Sequence, residues 1–255
     1  MNKHILLLLT VPLFTGCIHN YYIPNGQNVP LFTEKGEFQL SGYLGGGEAS
    51  HSFEMQSAMA LTDNLGFAVN YMHSKDGKLA EDDFNKGNYI EAAIGYFHQV
   101  NKNGVFEIYG GLGTGGQHHQ YKQHELDYDV YRTYYSTADL SYGKLYLQPA
   151  YGFKFNFCDL AFSTRISRLS YHDLNTNLDR ENNKYSNLLS LTNESHFFIE
   201  PGITFRIGWK NASIQMQYIY SGKINNKHSY DFEEQHFSIG LIYSINKKKN
   251  QELSE

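Results

Sequence analysis

Residues 145–155 read LYLQPAYGFKF, a stretch that has an apolar or aromatic side chain at every second position. Successive side chains of a β-strand point to opposite sides, so this period of two predicts a strand with one apolar face. Residues 197–207, FFIEPGITFRI, repeat the pattern. Similar alternation recurs between residues 38 and 245 in segments that we count as ten strands. No segment shows a comparable helical period, so the sequence predicts an all-β chain.

The connections between these segments alternate in length. Tight turns at 62–64, 100–104, 156–159 and 209–211 alternate with longer connections near 46–51, 75–87, 116–140, 172–194 and 222–234. Tight turns at one end, long loops at the other and an even strand number are typical of outer-membrane barrels. We therefore predict a single antiparallel up-and-down transmembrane β-barrel of about ten strands (8–12 allowed) over residues 37–246, followed by a basic and polar tail at 247–255.

Composition excludes several classes of protein. The chain has 255 residues, 18% of them charged and 15% aromatic, which is not the composition of a disordered chain. A formal net charge of -5 argues against a nucleic-acid partner. A mean hydropathy of -0.50, with no apolar run near twenty residues, excludes a helical membrane protein. Alternation alone still allows a soluble, lipocalin-like periplasmic barrel that binds a ligand between inward apolar faces.

The polar faces of the strands carry charges of both signs. Most of the acids lie on the first five strands and the bases on the next three, so we expect them to pair across a narrow interior. Buried charges are costly unless paired, and such pairing favours a filled membrane barrel over a porin. The residues of this expected charge network are Glu37, Glu54, Glu91, Glu107, Glu200, Lys144, Lys154, Arg165 and Arg206.

The amino-terminal residues 1–16 are typical of an export signal, with Lys3 before a ten-residue apolar core, ILLLLTVPLF, at 5–14. The following FTGC (14–17) resembles the lipobox of bacterial lipoproteins. The resemblance implies removal of the signal and acylation (palmitate) of Cys17. We expect residues 17–36 to form a lipid-anchored segment in the periplasm, because both chain ends fall on the tight-turn side. Cys158 then has no intramolecular partner for a disulfide.

A longer resemblance follows the lipobox. Residues 22–45, YIPNGQNVPLFTEKGEFQLSGYLG, resemble small outer-membrane β-barrel lipoproteins of Bacteroidota, an uncharacterised family. The resemblance implies an outer-membrane location and a barrel architecture. It implies almost nothing about chemistry.

Histidine is concentrated in the third long connection, at His118, His119 and His124. Neutral imidazoles can hold zinc or copper. Adjacent residues of an extended chain point in opposite directions, which favours a solvated polar segment over a metal site. No cofactor is expected.

Two kinds of rim enzyme are open alternatives. Several ten-stranded outer-membrane barrels are proteases that place Asp and His at the outer rim, and the candidates here are Asp82, Asp83, His172 and Asp173. A water activated by His beside a carboxylate would need both groups within hydrogen-bond reach. Ser170 with His172 is the corresponding candidate pair for a lipid hydrolase.

The third long connection also concentrates tyrosine, at Tyr128, Tyr131, Tyr134 and Tyr135. Tyrosine provides an amphipathic ring for contact with a sugar or a protein. We therefore expect an outer-membrane barrel lipoprotein with a structural or accessory role, embedded in the lipid bilayer and presenting long extracellular loops to an envelope protein or a glycan.

Overall fold

Strands make up most of the chain. The computed structural model describes residues 19–76, 82–127, 130–209, 211–224 and 230–245, without the side chains of 124–127, 130–131 and 209. The export signal, Cys17 and the tail 247–255 lie outside the described residues. The strands are β1 (Phe38–Gly46), β2 (Ser50–Ala60), β3 (Leu65–Asp76), β4 (Phe84–Gln99), β5 (Gly104–Asp127), β6 (Val130–Lys154), β7 (Cys158–Thr176), β8 (Ser195–Trp209), β9 (Ala212–Tyr220), β10 (Gly222–Lys223) and β11 (Gln235–Ile245).

Ten of these strands close into one antiparallel barrel, which confirms the predicted fold class. From β1 to β9 each long strand pairs with the next in sequence, β9 pairs with β11, and β11 pairs with β1. The two-residue β10 adds only a short pairing to β8. Every edge of the sheet is thereby paired, as a barrel in lipid requires.

The apolar faces of the strands point outward. Ile94, Leu112 and Leu241 are 57%, 64% and 69% exposed, whereas the charged side chains of the opposite face, such as Glu107 and Arg165, are fully buried. A soluble ligand-binding barrel would have the reverse arrangement, so that alternative is wrong. Aromatic side chains flank the apolar band, among them Tyr96 near the tight turns and Tyr71 near the opposite end.

The connection predicted at 116–140 is not a loop. β5 and β6 continue through it as one hairpin, paired in register from Gly104 and Phe153 to Asp127 and Val130. This hairpin reaches beyond the apolar band, where the outward positions of β5 carry polar side chains such as His118, Gln120 and Lys122. We call the end of the barrel that carries it the long-hairpin end, and the opposite end the tight-turn end.

One short helix lies at the long-hairpin end in the described part of the chain. In α1 (Asn183–Thr192), the Asn182 side chain accepts a hydrogen bond from the Lys184 amide and caps the first turn. Leu188 and Leu191 of α1 are buried against the barrel in a cluster that includes Leu169 and Phe198. No described helix is both long and apolar enough to cross a bilayer.

The segment before β1 lies inside the barrel. Residues 20–32, which we call the plug segment, are buried at every position and bond to residues of many strands. The prediction that residues 17–36 form a periplasmic segment is therefore wrong for the plug segment. The physical reason is that the inward polar faces need partners, and the segment supplies them.

Because the apolar face points toward lipid, the destabilisation caused by a charged substitution on this face should depend on its depth in the membrane. We expect Ile94→Arg to destabilise the barrel in lipid vesicles by about 2–4 kcal/mol, since it puts a cation in the middle of the hydrocarbon. His98→Arg is the matched control, because His98 lies on the same face of β4 beyond Tyr96. Urea unfolding of both variants measures the difference, and equal effects would contradict the outward assignment.

Candidate functional site

The plug segment is an extended chain that is held from all sides. Pro24 and Pro30 fix its local backbone and remove two donors that the interior would otherwise have to satisfy. Gly26 lies so close to the wall that a Cβ built there would be 2.6 Å from the Glu54 carboxylate. The segment therefore passes through the interior in van der Waals contact with the barrel wall.

The middle of the barrel holds a network around Arg165 of β7. Its guanidinium bonds to Glu91 of β4 at 3.0 Å, to the Asn25 side-chain oxygen at 2.9 Å and to the Gln148 side-chain oxygen at 2.8 Å. Asn25 in turn donates to Glu91 at 3.1 Å. One residue of the plug segment thus sits between the two charges that pair across the interior.

A second network lies closer to the long-hairpin end. Tyr22 donates its hydroxyl proton to Glu200 of β8 at 2.5 Å and accepts from the Lys144 ammonium at 2.7 Å. Lys144 and Glu200 are themselves 3.6 Å apart. The Tyr22 ring also packs against Phe198, with ring centroids 4.5 Å apart.

A third set of bonds holds the segment near the tight-turn end. Leu31 has a left-handed backbone, with φ of 54°, which is unfavourable for a side chain of this kind. Its amide donates to Glu107 at 2.9 Å and its carbonyl accepts from Lys154 at 2.9 Å. Two charged groups from β5 and β6 therefore fix the unusual conformation of Leu31.

The nine charged residues of the expected network all face the interior, but their pairing is only partly direct. Ion pairs join Glu91 to Arg165, Glu200 to Lys144 and Glu37 to Lys154, the last at 3.9 Å. The other three bond to the backbone of the plug segment: Glu54 to Gly26, Glu107 to Leu31 and Arg206 to Val29. The sequence analysis did not predict that this segment lies inside the barrel. Its Asn and Gln side chains, which both donate and accept hydrogen bonds, suit the buried charges of the interior.

At the long-hairpin end, the chain before the plug segment meets a cluster of polar and aromatic groups. His19 bonds to Asp83, and burial lowers the pKa of His19 below its usual value against the opposing pull of that carboxylate. The Tyr21 and Tyr121 hydroxyls share a hydrogen bond of 3.0 Å. A cavity of about 270 Å³ adjoins His19 and is lined in part by Lys184 and Tyr230.

The rim candidates for an enzyme have separate partners. Asp83 bonds to His19, and Asp82 accepts a hydrogen bond from Tyr135 at 2.8 Å. His172 projects outward from β7, half exposed, and is 3.6 Å from its neighbour Asp173. Ser170 shares a hydrogen bond with Ser195 at 3.1 Å. The hydrogen bonds of Asp82, Asp83 and Ser170 thus go to residues other than His172.

The histidines of the third connection point in opposite directions. His118 bonds to Asp139 at 2.7 Å on the outside of the hairpin, whereas His119 is buried inside next to the Tyr21 ring. The side chain of His124 lies outside the described part. Within the described ranges, three or more His, Cys, Asp or Glu side chains nowhere come together as a metal site.

Two of the four tyrosines of the expected contact surface line an open cleft. Tyr134 and Tyr135 lie on β6, each about half exposed, beside a cleft of about 690 Å³. Its remaining lining is polar: Gln123, Ser136, Asn177, Asp179, Arg180, Glu181 and Asn182. Tyr128 and the side chain of Tyr131 lie outside the described residues.

The central network predicts that loss of the Arg165 guanidinium strongly destabilises the folded protein. We expect Arg165→Met to lower the free energy of unfolding by about 3–5 kcal/mol, because Glu91 is left as an uncompensated buried charge. Arg168→Met is the matched control, since Arg168 lies on the same strand but faces outward near Ser195. Denaturant unfolding in detergent micelles measures both variants. An effect of Arg165→Met no larger than that of the control would contradict the network.

The fold, and not the sequence, links this chain to known proteins. No family model and no curated protein matches it. The structure is similar to the outer membrane protease OmpT from Escherichia coli, with 8% identity, a TM-score of 0.50 and coverage of 84% of this chain and 98% of that chain. The translocator domain of the autotransporter NalP from Neisseria meningitidis matches at 10% identity with a TM-score of 0.44, covering 83% of this chain and 89% of that chain. At such identities the likeness shows the fold alone, which is that of an outer-membrane β-barrel.

Proposed function

We propose that this protein is an outer-membrane lipoprotein whose filled barrel anchors a glycan-contacting surface outside the cell. The single observation that carries the proposal is the plug segment. Its side chains and backbone satisfy the interior charges from one end of the barrel to the other. A barrel filled in this way is an anchor and not a general porin.

The lipid anchor rests on the sequence. The export signal ends at a Cys in a lipobox-like context, FTGC at 14–17. One acyl chain gives only marginal membrane binding, whereas the barrel itself is held permanently. Acylation of Cys17 would thus tether the amino terminus of a protein that is already embedded.

The glycan assignment rests on the cleft beside Tyr134 and Tyr135. Protein interfaces are depleted of charged residues at their centre, whereas this cleft combines two rings with amide, carboxylate and guanidinium groups. Such groups hydrogen-bond hydroxyls through several donors and acceptors at once. Its volume of about 690 Å³ is within the usual range of ligand sites. A polar ligand with stackable faces, such as an oligosaccharide, fits this lining best.

A glycan array with detergent-purified protein, followed by calorimetry, tests the proposal. We expect Tyr134→Ala/Tyr135→Ala to weaken binding by roughly 5- to 150-fold, since two ring contacts at roughly 0.5–1.5 kcal/mol each contribute about 1–3 kcal/mol. Tyr96→Ala/Tyr220→Ala is the matched control, because both of those tyrosines are exposed on the barrel wall away from the cleft.

Equal losses in the two double variants, or no bound glycan, would contradict the glycan assignment. Capture of a protein through the same two tyrosines would also overturn it, in favour of a protein partner.

A further inference from the structure

The plug segment has a direction that can be read from its two ends. At its start, the Asn20 amide donates to Asp76 at 2.9 Å, on the last residue of β3 at the long-hairpin end. After its end, the Lys35 amide donates to Asp63 and the Gly36 amide to the Ala60 carbonyl, beside the tight turn between β2 and β3. The chain therefore runs from the long-hairpin end to the tight-turn end, and β1 then returns.

The bonds between these ends follow the same order. Tyr22 bonds to Glu200 in the first half of β8, and Asn25 meets Arg165 in the middle of β7. Val29 then bonds to Arg206 near the end of β8, and Leu31 to Lys154 at the last residue of β6. The direction is fixed by several independent contacts.

The long-hairpin end corresponds to the cell surface in barrels of this kind. Bacterial outer-membrane barrels have short turns on the periplasmic side and longer connections outside. Here the turns between β2 and β3 and between β4 and β5 are tight, whereas the β5–β6 hairpin is the longest in the described part of the chain. His19 therefore lies at the extracellular mouth.

We propose that the mature amino terminus leaves the barrel through its extracellular mouth, so that acyl chains on Cys17 enter the outer leaflet from the cell surface. The lipid part of this inference rests on the lipoprotein assignment proposed above. Cys17 is two residues before His19 and is within about 7 Å of it along the chain. From His19 the chain needs all of residues 19–35 to reach the periplasmic side. The two-residue step from Cys17 to His19 reaches only about 7 Å and cannot cover that distance.

The interior offers no place for the acyl chains, because the plug segment and buried side chains such as Glu91 and Arg165 already occupy it. The acyl chains instead pass over the rim of the barrel next to Asn20. The Asn20 side chain donates to Glu233 at 3.2 Å, and Glu233 accepts from the Glu48 amide at 2.8 Å in the turn between β1 and β2. β1 and β2 are short compared with β5 and β6, so this turn is the low part of the rim. A lipid at the terminus meets the outer leaflet there.

The test is the accessibility of a short epitope tag inserted between Ile18 and His19 of the full chain. We expect antibody to label this tag on intact cells. The same tag inserted between Asn101 and Lys102, in the tight turn after β4, is the matched control and should be labelled only after the outer membrane is permeabilised. Labelling of the amino-terminal tag only after permeabilisation would overturn the inference.

Two further readouts separate this inference from the lipoprotein assignment. Tagged proteins are scored only if they keep the mobility of a folded barrel on unboiled gels. If the tag prevents folding, Ile18→Lys, reacted with a membrane-impermeant amine reagent and read by mass spectrometry, replaces it. Palmitate labelling of the native chain and of Cys17→Ala tests acylation alone. Label lost in Cys17→Ala with a periplasmic tag overturns the inference and leaves the lipoprotein standing, whereas a surface tag without any label overturns its lipid part.

Discussion

The contact on which the rest of the structure depends is the buried pair of Arg165 and Glu91, bridged by Asn25 of the plug segment. Removing two charges from water is unfavourable unless every donor and acceptor is satisfied. An empty barrel of this width would have to hydrate them. Here a stretch of the same chain satisfies them, and the interior is therefore occupied.

Because the interior is filled, the outer and inner faces of the barrel have different roles. The outer face of the strands is apolar and meets lipid, so it carries no specificity. The inner face is committed to the plug segment through residues such as Lys144 and Glu107. In the proposed function, recognition falls to the parts that extend past the membrane, namely the β5–β6 hairpin and the cleft between it and residues 177–182. His19, which precedes the plug segment, lies in this same region, where it bonds to Asp83.

The sequence predicts the barrel well because alternation reports directly on the lipid-facing side, as in Leu145, Leu147 and Tyr151. It also predicts that Glu91 and Arg165 face inward. The plug segment has no such signal, because an extended chain surrounded on all sides has no preferred face. The sequence predicts a loop in place of the long hairpin for a related reason: residues 116–127 are mostly polar at both alternating sets of positions, so the period of two is lost. The cleft at Tyr134 depends on β6 meeting residues 177–182, which no local pattern reports.

Ion conductance of the purified protein in planar lipid bilayers tests the central claim most directly. A barrel occupied by residues 20–32 should give no stable conducting steps over a range of voltages. A chain in which those residues are replaced by a short Gly-Ser linker should conduct, and it provides the positive control. Steady ohmic conductance by the native protein, equal to that of the linker variant, would contradict the account.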